Sequence, residues 1–304
     1  MDIALAMVVR DEAHRIRRCL EPIARAFSEV VAVDTGSRDD TPGLLRSLGA
    51  RVVEMPPPAD DRFRITEARG RALAEVAAPW ILVLDADETI APEDVELLRR
   101  RAPTLAAGAF LPWRNRRAGR VFDDYKLAFF RNGLGVKFEG RVHSNPQPSF
   151  RRLGLEAETI GDVAIEHSLD EVNPGRACRM ERLERAIAGQ PQWWRYHWFL
   201  GYAHFVKGEL ARAEPLLRRA ADAACPNFPV ECLNAHLVLA EILARKGEGE
   251  GAAALVERAL AFHAAVQGDF EVRANRGLLP WLERAALALA RGRTAAIRAP
   301  EFAC

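Results

Sequence analysis

The chain has no excess of either charge, since its 304 residues include 43 lysines and arginines against 42 acids. A protein that binds nucleic acid non-specifically is expected to carry a broad basic excess. We therefore predict no nucleic-acid partner, and any charged site must be local.

Cysteine is scarce and scattered along the chain. The cysteines are odd in number and have no metal-ligand spacing, which argues against a disulfide or zinc framework. Such cysteines are usually buried as small apolar side chains, and only Cys304 is expected to be exposed. The five are Cys19, Cys178, Cys225, Cys232 and Cys304.

The amino terminus has no long apolar run. Its uncharged stretch, Ile3–Val9, ends at Arg10 and is shorter than a signal-peptide core or a membrane span. We predict a cytoplasmic protein without a transmembrane segment, and a homodimer is left open.

The length and the 49% apolar content are sufficient for two domains, each with its own core. Over the first hundred residues, strand patterns begin near Ile3, Glu29, Arg51 and Trp80, with helical spacing between them. Strands that alternate with crossover helices predict an α/β domain with a mainly parallel, Rossmann-like sheet. Ligands bind at the carboxyl edge of such a sheet.

The pattern becomes less regular between Ala109 and His167. Three segments, AFLPWRN, LAFFRN and VAIEH, are predicted strands that could complete the sheet and build the substrate side. After DEVNPGR the composition changes to Ala, Leu, Arg and Glu with helical spacing. We place the domain boundary at Asn173–Gly175.

The second part contains an internal repeat typical of tetratricopeptide helix pairs. Its small and large positions recur 39 residues later, against a usual period of about 34. Two units are few for such a stack, so helices before Trp193 and after Leu278 are expected to cap it. A generic helical bundle is the alternative. The first unit has Leu200, Gly201, Gly208, Ala213, Leu217 and Ala220, and the second has Leu239, Ala240, Gly247, Ala252, Val256 and Ala259.

The segment ILVLDADET, Ile81–Thr89, places Asp85 and Asp87 directly after a buried apolar run. Two acids at that position are costly unless they bind something. A haloacid-dehalogenase-type phosphatase uses a D-x-D-x-T string, with the first Asp as nucleophile beside Mg²⁺. The position of the string in this chain argues against a phosphatase, because about three strand-helix units precede it. The only candidate for the later acidic pair, Asp123-Asp124, follows GRVF, which is a weak strand pattern.

Four segments in order, MVVRDEAHRIRRCLEPI, VAVDTGSRDDT, EARGRALAEVAAPWILVLDADE and FFRNGLGVKFEGRVHS, resemble family 2 glycosyltransferases of the GT-A fold. The resemblance is to the bacterial group with tetratricopeptide repeats and covers about residues 1–260. It implies a GT-A domain at 1–172 and an all-α, tetratricopeptide-like domain at 173–304.

The resemblance also implies a UDP- or GDP-sugar donor and a Mn²⁺ or Mg²⁺ ion that neutralises the leaving diphosphate. Asp87 would be the direct metal ligand, with Asp85 near the ribose or a metal-bound water. Asp34 could cap its turn instead of contacting the nucleotide, and Arg69 and Arg71 could lie on a solvated helix face. The residues expected to contact the nucleotide are Val9, Asp11, Glu12, Asp34, Arg69, Arg71, Asp85 and Ala86.

Two histidines match strand-end or loop positions of the family, His143 in EGRVHS and His167 in AIEHSLDE. Either could be a third metal ligand or a phosphate donor. The family commonly has His-Glu at the first place and His-x-Gly-Tyr at the second. This chain departs there, with His143-Ser144 at the first place and His167-Ser168-Leu169 at the second.

An inverting transfer needs a general base near the acceptor hydroxyl, and Ser144 cannot act as one unaided. Glu139 is our first substitute and Asp124 our second, although both could be surface acids. The sequence thus predicts a metal-dependent inverting glycosyltransferase acting on a peptide, protein or glycan acceptor. The alternatives are a nucleotide-sugar-binding scaffold with weak or no turnover, and the phosphatase.

Overall fold

The computed structural model of the protein describes residues 1–56, 64–169, 179–223 and 227–302. The chain divides into two compact units, Met1–Glu171 and Val172–Cys304. The first is a mixed α/β unit and the second is helical, as the sequence predicts for the fold class. The predicted boundary at Asn173–Gly175 lies outside the described residues.

Nine strands of the first unit form one sheet in the order β3-β2-β1-β4-β7-β6-β9-β5, with β8 beside β6. The first four of that order are parallel and the β4–β7 and β6–β7 pairs are antiparallel. The strands are β1 Ile3–Val9, β2 Glu29–Asp34, β3 Arg51–Glu54, β4 Trp80–Val83, β5 Glu88–Thr89, β6 Gly108–Arg117, β7 Arg120–Arg131, β8 Ala157–Thr159 and β9 Ile165–Ser168.

The parallel strands bring three loops to one edge of the sheet. β1 is buried over its whole length and packs against helix α3, Ile65–Glu75. In the parallel register Val9 pairs with Asp34 and Ala6 pairs with Val83. The loops after β1, β2 and β4 therefore leave the sheet side by side, and all of them contain predicted site residues.

Helices between these strands lie within the described residues of the first unit. Helix α1 is short and is followed by a 3₁₀ turn at Ala24–Ala26, and Ile23 between them is buried. Helix α4 begins with Pro92 and has two acids at its positive end. The helices are α1 Ile16–Leu20, α2 Thr41–Ser47, α3 Ile65–Glu75, α4 Pro92–Arg101 and α5 Gln147–Arg152.

Strands β6 and β7 form a hairpin whose two central turn residues, Ala118 and Gly119, both have positive φ. Such turns match the twist of the flanking strands. The interpretation of GRVF as a weak strand was wrong, because Arg120 to Phe122 belong to β7 and pair with β6. A long hairpin supplies the hydrogen bonds that the local sequence does not suggest.

The described helices of the second unit include two pairs that correspond to the predicted repeats. The small and large repeat positions in these helices are buried, and Gly208 and Gly247 have φ of +77° and +81° at the turn inside each pair. The tetratricopeptide-like architecture is thus confirmed. The helices are α6 Arg179–Gly189, α7 Arg195–Val206, α8 Leu210–Asp222, α9 Pro229–Arg245, α10 Gly249–Val266, α11 Phe270–Ala274 and α12 Leu278–Ala290.

Cys19 and Cys232 are buried, as expected for small apolar side chains. Cys178, Cys225 and Cys304 lie outside the described residues. In the parts of the chain that the structure describes, no helix has both the length and the apolar character to cross a membrane.

Candidate active site

The carboxylate pair lies in the turn that follows β4. Ala86 between the two aspartates is only 3% exposed and anchors the turn in the core. The turn is closed from both sides, because Glu88 N donates to Asp85 O at 3.0 Å and Asp85 N donates to a Glu88 carboxylate oxygen at 2.8 Å. The backbone thus holds Asp85 and Asp87 at the edge of the sheet.

Asp85 is held by two cations. Arg69 Nη2 donates to both of its oxygens, at 2.8 and 3.1 Å, and Lys126 Nζ lies 3.5 Å from Oδ2. Burial raises the pKa of this carboxyl, but Arg69 and Lys126 outweigh burial and hold the pKa well below its usual range. Asp85 is therefore ionised at neutral pH.

Arg71 takes a different direction from Arg69. Its Nη2 lies 2.7 Å from Glu75 Oε1 and its side chain is 58% exposed. Residues two apart on a helix point to different faces. The structure therefore brings Arg69 to the aspartate pair, whereas Arg71 lies on the solvated face that the sequence left as an alternative.

A buried ion pair between Glu88 and Lys126 adjoins Asp85, and the sequence analysis did not predict it. Glu88 is fully buried, and Lys126 Nζ donates to its two carboxylate oxygens at 2.7 and 2.6 Å. Burial raises the pKa of Glu88. Burial alone would lower the pKa of Lys126, but the negative charges of Glu88 and Asp85 outweigh burial and raise it. Glu88 stood in the quoted motif without a role, and Lys126 had no local signal.

We expect Lys126→Met to lower the free energy of unfolding by about 3–5 kcal/mol, because it leaves Glu88 buried without its cation. Lowering the pH should reduce this loss, since the raised pKa of Glu88 favours its neutral form in the folded state. Urea denaturation at pH 6 and pH 8 measures both effects.

The matched control is Lys246→Met, since Lys246 is 45% exposed and pairs with Glu214 and Glu248 at the surface. It should change little. Adding Glu88→Gln to Lys126→Met should recover part of the stability. Equal losses in the two lysine variants would contradict the buried pair.

Asp87 faces His167 across the site. Asp87 Oδ2 lies 3.4 Å from His167 Nε2 and 3.8 Å from Arg15 Nη1, and its side chain is 12% exposed. Burial raises the pKa of Asp87, but the hydrogen bond and charge of His167 outweigh it and lower the pKa. The contact depends on the antiparallel pairing of β5 with β9, which sets Glu88 opposite His167.

Asn115 orients His167. Asn115 Nδ2 donates to the carbonyls of Trp113 and Phe122 at 3.1 and 3.2 Å, which leaves Oδ1 as the acceptor, 2.7 Å from His167 Nδ1. Trp113 stacks on the imidazole at 4.9 Å. Nδ1 therefore carries a proton. A protonated imidazole would also donate from Nε2 to Asp87, whereas a neutral one would present its Nε2 lone pair toward Asp87.

A lone pair of nitrogen and a carboxylate oxygen that face each other at this distance suit a cation between them, and a partner that fixes the other ring nitrogen is usual for a metal-ligating histidine. Within the described residues, no group of three or more His, Cys, Asp and Glu side chains could hold a metal ion. His143 has a φ of +53°, and a role for it as a ligand stays a prediction.

The loops after β1 and β2 interlock at the same edge. Asp11 has a φ of +56°; its amide donates to Ser37 Oγ at 2.9 Å and its Oδ1 accepts from Arg38 N at 2.6 Å. Glu12 N donates to Thr41 Oγ1 at 2.7 Å, and its carboxylate pairs with Arg15. A non-glycine residue in the left-handed region is held there by surrounding structure and is typical of functional loops.

Asp34 has the turn-capping contacts that the sequence left as its alternative role. Its Oδ1 accepts from the amides of Gly36 and Ser37, both at 2.9 Å, and Ser37 Oγ donates to Oδ2. Val9, 2% exposed, has its carbonyl bound by Thr35 N at 3.0 Å. These two residues shape the loops, and a direct nucleotide contact stays a prediction.

Burial raises the pKa of Glu12 to about 7; Arg15 lowers it, and the charges of Asp87 and Asp85 add to the increase. A carboxyl with a raised pKa in the folded state leaves stability intact below its unfolded value and reduces stability as the pH rises toward the folded value. We expect the free energy of unfolding of the wild type to fall between about pH 4.5 and pH 7 relative to Glu12→Gln.

Denaturation of both proteins in metal-free buffer across that range measures the difference, which cannot exceed about 1.4 kcal/mol per pH unit for one proton. Parallel pH profiles of the two proteins would show that Glu12 is ionised with an ordinary pKa.

The two predicted bases have different surroundings. Glu139 pairs its backbone with Asn145, and its Oε1 lies 2.7 Å from Arg152 Nη1. Asp124 lies opposite Trp113 in the β6–β7 register, two residues before Lys126. Alternate residues of a strand share a face, so Asp124 is on the same face of β7 as the Lys126 side chain that reaches Asp85.

An open cleft of about 290 Å³ adjoins Asp87 and His167. Thr89, Ser168 and three charged residues, Arg18, Arg116 and Glu166, complete its lining. Arg116 Nε donates to Glu166 at 2.6 Å. The cleft gives small polar molecules access to the Asp87–His167 pair.

A mixed sheet with carboxylates at the carboxyl edge of its parallel strands is the architecture of the GT-A fold. The family model for glycosyl transferase family 2 matches residues 5–162. The chain belongs to that family and is a glycosyltransferase, which removes the phosphatase alternative.

Two relatives carry names that bear on the architecture. A TPR repeat-containing protein of Synechococcus elongatus is 31% identical over 280 residues, which cover 86% of this chain and 68% of that protein. The SPbeta prophage-derived glycosyltransferase SunS of Bacillus subtilis is 26% identical over 148 residues, 47% of this chain and 34% of SunS. The first relative spans both units of this chain.

Among solved structures, residues 1–349 of TarS from S. aureus in complex with UDP-GlcNAc are similar with a TM-score of 0.51. The identity is 12%, and the match covers 96% of this chain and 93% of the TarS chain. At that identity the similarity supports the GT-A fold alone.

Proposed function

We propose that this protein transfers a sugar, with inversion, from a UDP- or GDP-sugar to an acceptor, using Mn²⁺ or Mg²⁺ held by Asp87 and His167. The observation that carries the metal assignment is the oriented pair itself, with Nε2 facing Oδ2 at 3.4 Å and Nδ1 committed to Asn115. Two protein ligands suffice, because Mg²⁺ sites commonly take one or two carboxylates plus phosphate oxygens and water.

The cation would neutralise the charge that develops on the leaving diphosphate. The residues of this chain have the supporting roles. Asp85, kept ionised by Arg69 and Lys126, lies beside the metal pair and suits a ribose hydroxyl or a metal-bound water. Because Glu88 closes the turn between them, Asp85 and Asp87 keep their spacing without a bound donor.

The nucleotide would lie against the loops after β1 and β2. Asp11 and Glu12 present polar groups there, and Asp34 and Ser37 fix the adjoining turn. Arg69 is held between Asp85 and the Phe138 ring, 4.9 Å from its centroid, so it positions Asp85 and offers positive charge to the donor. The UDP-GlcNAc in the TarS complex makes UDP-sugars the first donors to test.

For the general base we propose Asp124, reversing the order that the sequence suggested. Its strand face and its cross-strand neighbour Trp113, which stacks on His167, support this choice. The Glu139 carboxylate is paired with Arg152. Proton transfer from the acceptor hydroxyl to Asp124 would accompany attack on the sugar.

We also propose that residues 1–172 carry the chemistry and residues 173–304 support the acceptor, a peptide, protein or glycan. Donor hydrolysis separates the proposed function from a scaffold without turnover. Release of UDP or GDP from a panel of their sugars, with Mn²⁺, Mg²⁺ or EDTA, should be metal-dependent with one donor. p-Nitrophenyl phosphate serves as the negative control. Nucleotide binding without release, even with candidate acceptors, would favour the scaffold.

A further inference from the structure

The β6–β7 hairpin ends in two opposed arginines. Arg117 and Arg120 are the cross-strand pair that closes the hairpin, on either side of the turn at Ala118 and Gly119. Like charges directly opposite each other in an antiparallel pair are destabilising. The fold alone therefore does not account for two cations at this position.

One aromatic ring holds both guanidinium groups. The Cζ atoms of Arg117 and Arg120 each lie 5.2 Å from the centroid of the Phe122 ring. The backbone of Phe122 is fixed in turn, because Asn115 Nδ2 donates to Phe122 O at 3.2 Å. A guanidinium that stacks on a ring by its flat face keeps its N–H donors at its edge. The two arginines are thus gathered over one ring with donors left for an acceptor at the edge of the stack.

The arginines on the other face of β6 have an anion of their own. Arg114 Nη1 lies 3.2 Å from one Glu166 oxygen, and Arg116 Nε lies 2.6 Å from the other. Alternate residues of a strand share a face, so Arg114 and Arg116 lie on one face and Arg117 lies on the other. Among the residues that the structure describes, Arg117 has no carboxylate partner.

The ring under the two arginines lies on the same strand face as the proposed base. Phe122 and Asp124 are two residues apart on β7, so their side chains share a face and their Cα atoms are about 7 Å apart. Trp113, opposite Asp124 in the register, stacks on His167. This face of the hairpin therefore leads from the proposed site to the arginine pair over about the width of one sugar ring.

We propose that Arg117 and Arg120 recognise an anionic group, a phosphate or a carboxylate, on a sugar of the acceptor. The acceptor is then an acidic glycan whose anionic group lies about one sugar ring from the hydroxyl that is attacked, which rests on the proposed function for the role of Asp124. Guanidinium groups bind phosphate and carboxylate oxygens through paired, charge-assisted hydrogen bonds. An anion between the two arginines also offsets the repulsion of the opposed cations.

The test uses the full chain in EDTA and without a donor nucleotide, so that neither metal binding nor turnover is needed. The probes are glucose 6-phosphate, glucuronate and, as the neutral control, glucose, and saturation-transfer NMR measures their binding. We expect the preferred acidic sugar to bind at least about 10-fold more tightly than glucose, the contribution of one charge-assisted hydrogen bond. The tighter of the two acids identifies phosphate or carboxylate as the recognised group.

Arg117→Gln and Arg120→Gln should each weaken binding of the preferred acidic sugar about 3- to 10-fold, and the double variant should bind it no better than glucose. Arg120→Lys keeps the charge without the planar fork, so its Kd should fall between those of the wild type and Arg120→Gln. The matched control is Arg114→Gln, on the other face of the same hairpin, which should change the Kd less than about 2-fold. Circular dichroism establishes that each variant is folded.

The proposal is overturned if neither acidic sugar binds more tightly than glucose, or if the double variant binds them like the wild type. Binding to phosphatidylglycerol vesicles that needs both arginines, with no preference for the acidic sugars, would also overturn it and assign the hairpin to a lipid surface. None of these measurements involves sugar transfer or a metal, so failure here leaves the proposed function standing. Conversely, failure of donor hydrolysis leaves the anion site on the hairpin measurable.

Discussion

Asp87→Asn should abolish metal-dependent nucleotide binding and lower sugar transfer at least about 10³-fold while the fold is retained. The substitution keeps the size of the side chain and removes the charge of the proposed cation site, in which Asp87 lies 3.4 Å from His167 Nε2. Charge stabilisation of a leaving group by a bound metal contributes several kcal/mol to catalysis, and each 1.36 kcal/mol is tenfold in rate.

Calorimetric titration of UDP and of GDP, each with and without Mn²⁺, measures the effect on binding. Asp162→Asn is the control, because Asp162 is an acid half exposed at the surface and paired with Arg101. His167→Gln should reproduce the loss of metal dependence in part. Unchanged metal-dependent affinity in Asp87→Asn would remove Asp87 as the ligand.

The second large effect is expected at the general base. Asp124→Asn should lower the transfer rate by about 10²- to 10⁴-fold, the usual contribution of general acid–base catalysis, with donor affinity nearly unchanged. That combination marks a group that acts in the transition state, since a lost ground-state contact would weaken affinity as well.

Asp123→Asn is a closely matched control, because Asp123 precedes Asp124 on β7 and therefore faces the other side of the sheet. Glu139→Gln tests the competing assignment. If Glu139→Gln gives the large loss and Asp124→Asn does not, the order suggested by the sequence was the better one. If neither affects transfer, the acceptor arrives already ionised, as a thiolate can.

Much of the first unit follows from local pattern. Apolar runs such as Ile3–Val9 and Trp80–Val83 predict buried strands, because a strand of a parallel sheet is covered on both faces. The placement of Asp85 and Asp87 at the sheet edge follows from the same pattern, since loops after parallel strands share one edge. These predictions need only short-range information.

The environment of each site residue depended on pairings between distant segments. Lys126 reaches Glu88 and Asp85 only because β7 runs antiparallel beside β4. Sequence spacing does not reveal which strand will be the neighbour in a sheet, so the buried ion pair had no signal.

The chain by itself determined the family, the two-part architecture and the aspartate pair, because these depend on motifs in order and on periodicity within one element. Only the tertiary structure decided that His167 faces Asp87, through the pairing of β5 with β9. It also decided that Phe302 lies on Trp198 and Tyr202, about a hundred residues away. Long-range contacts of this kind are set by packing of whole elements, which local preference does not encode.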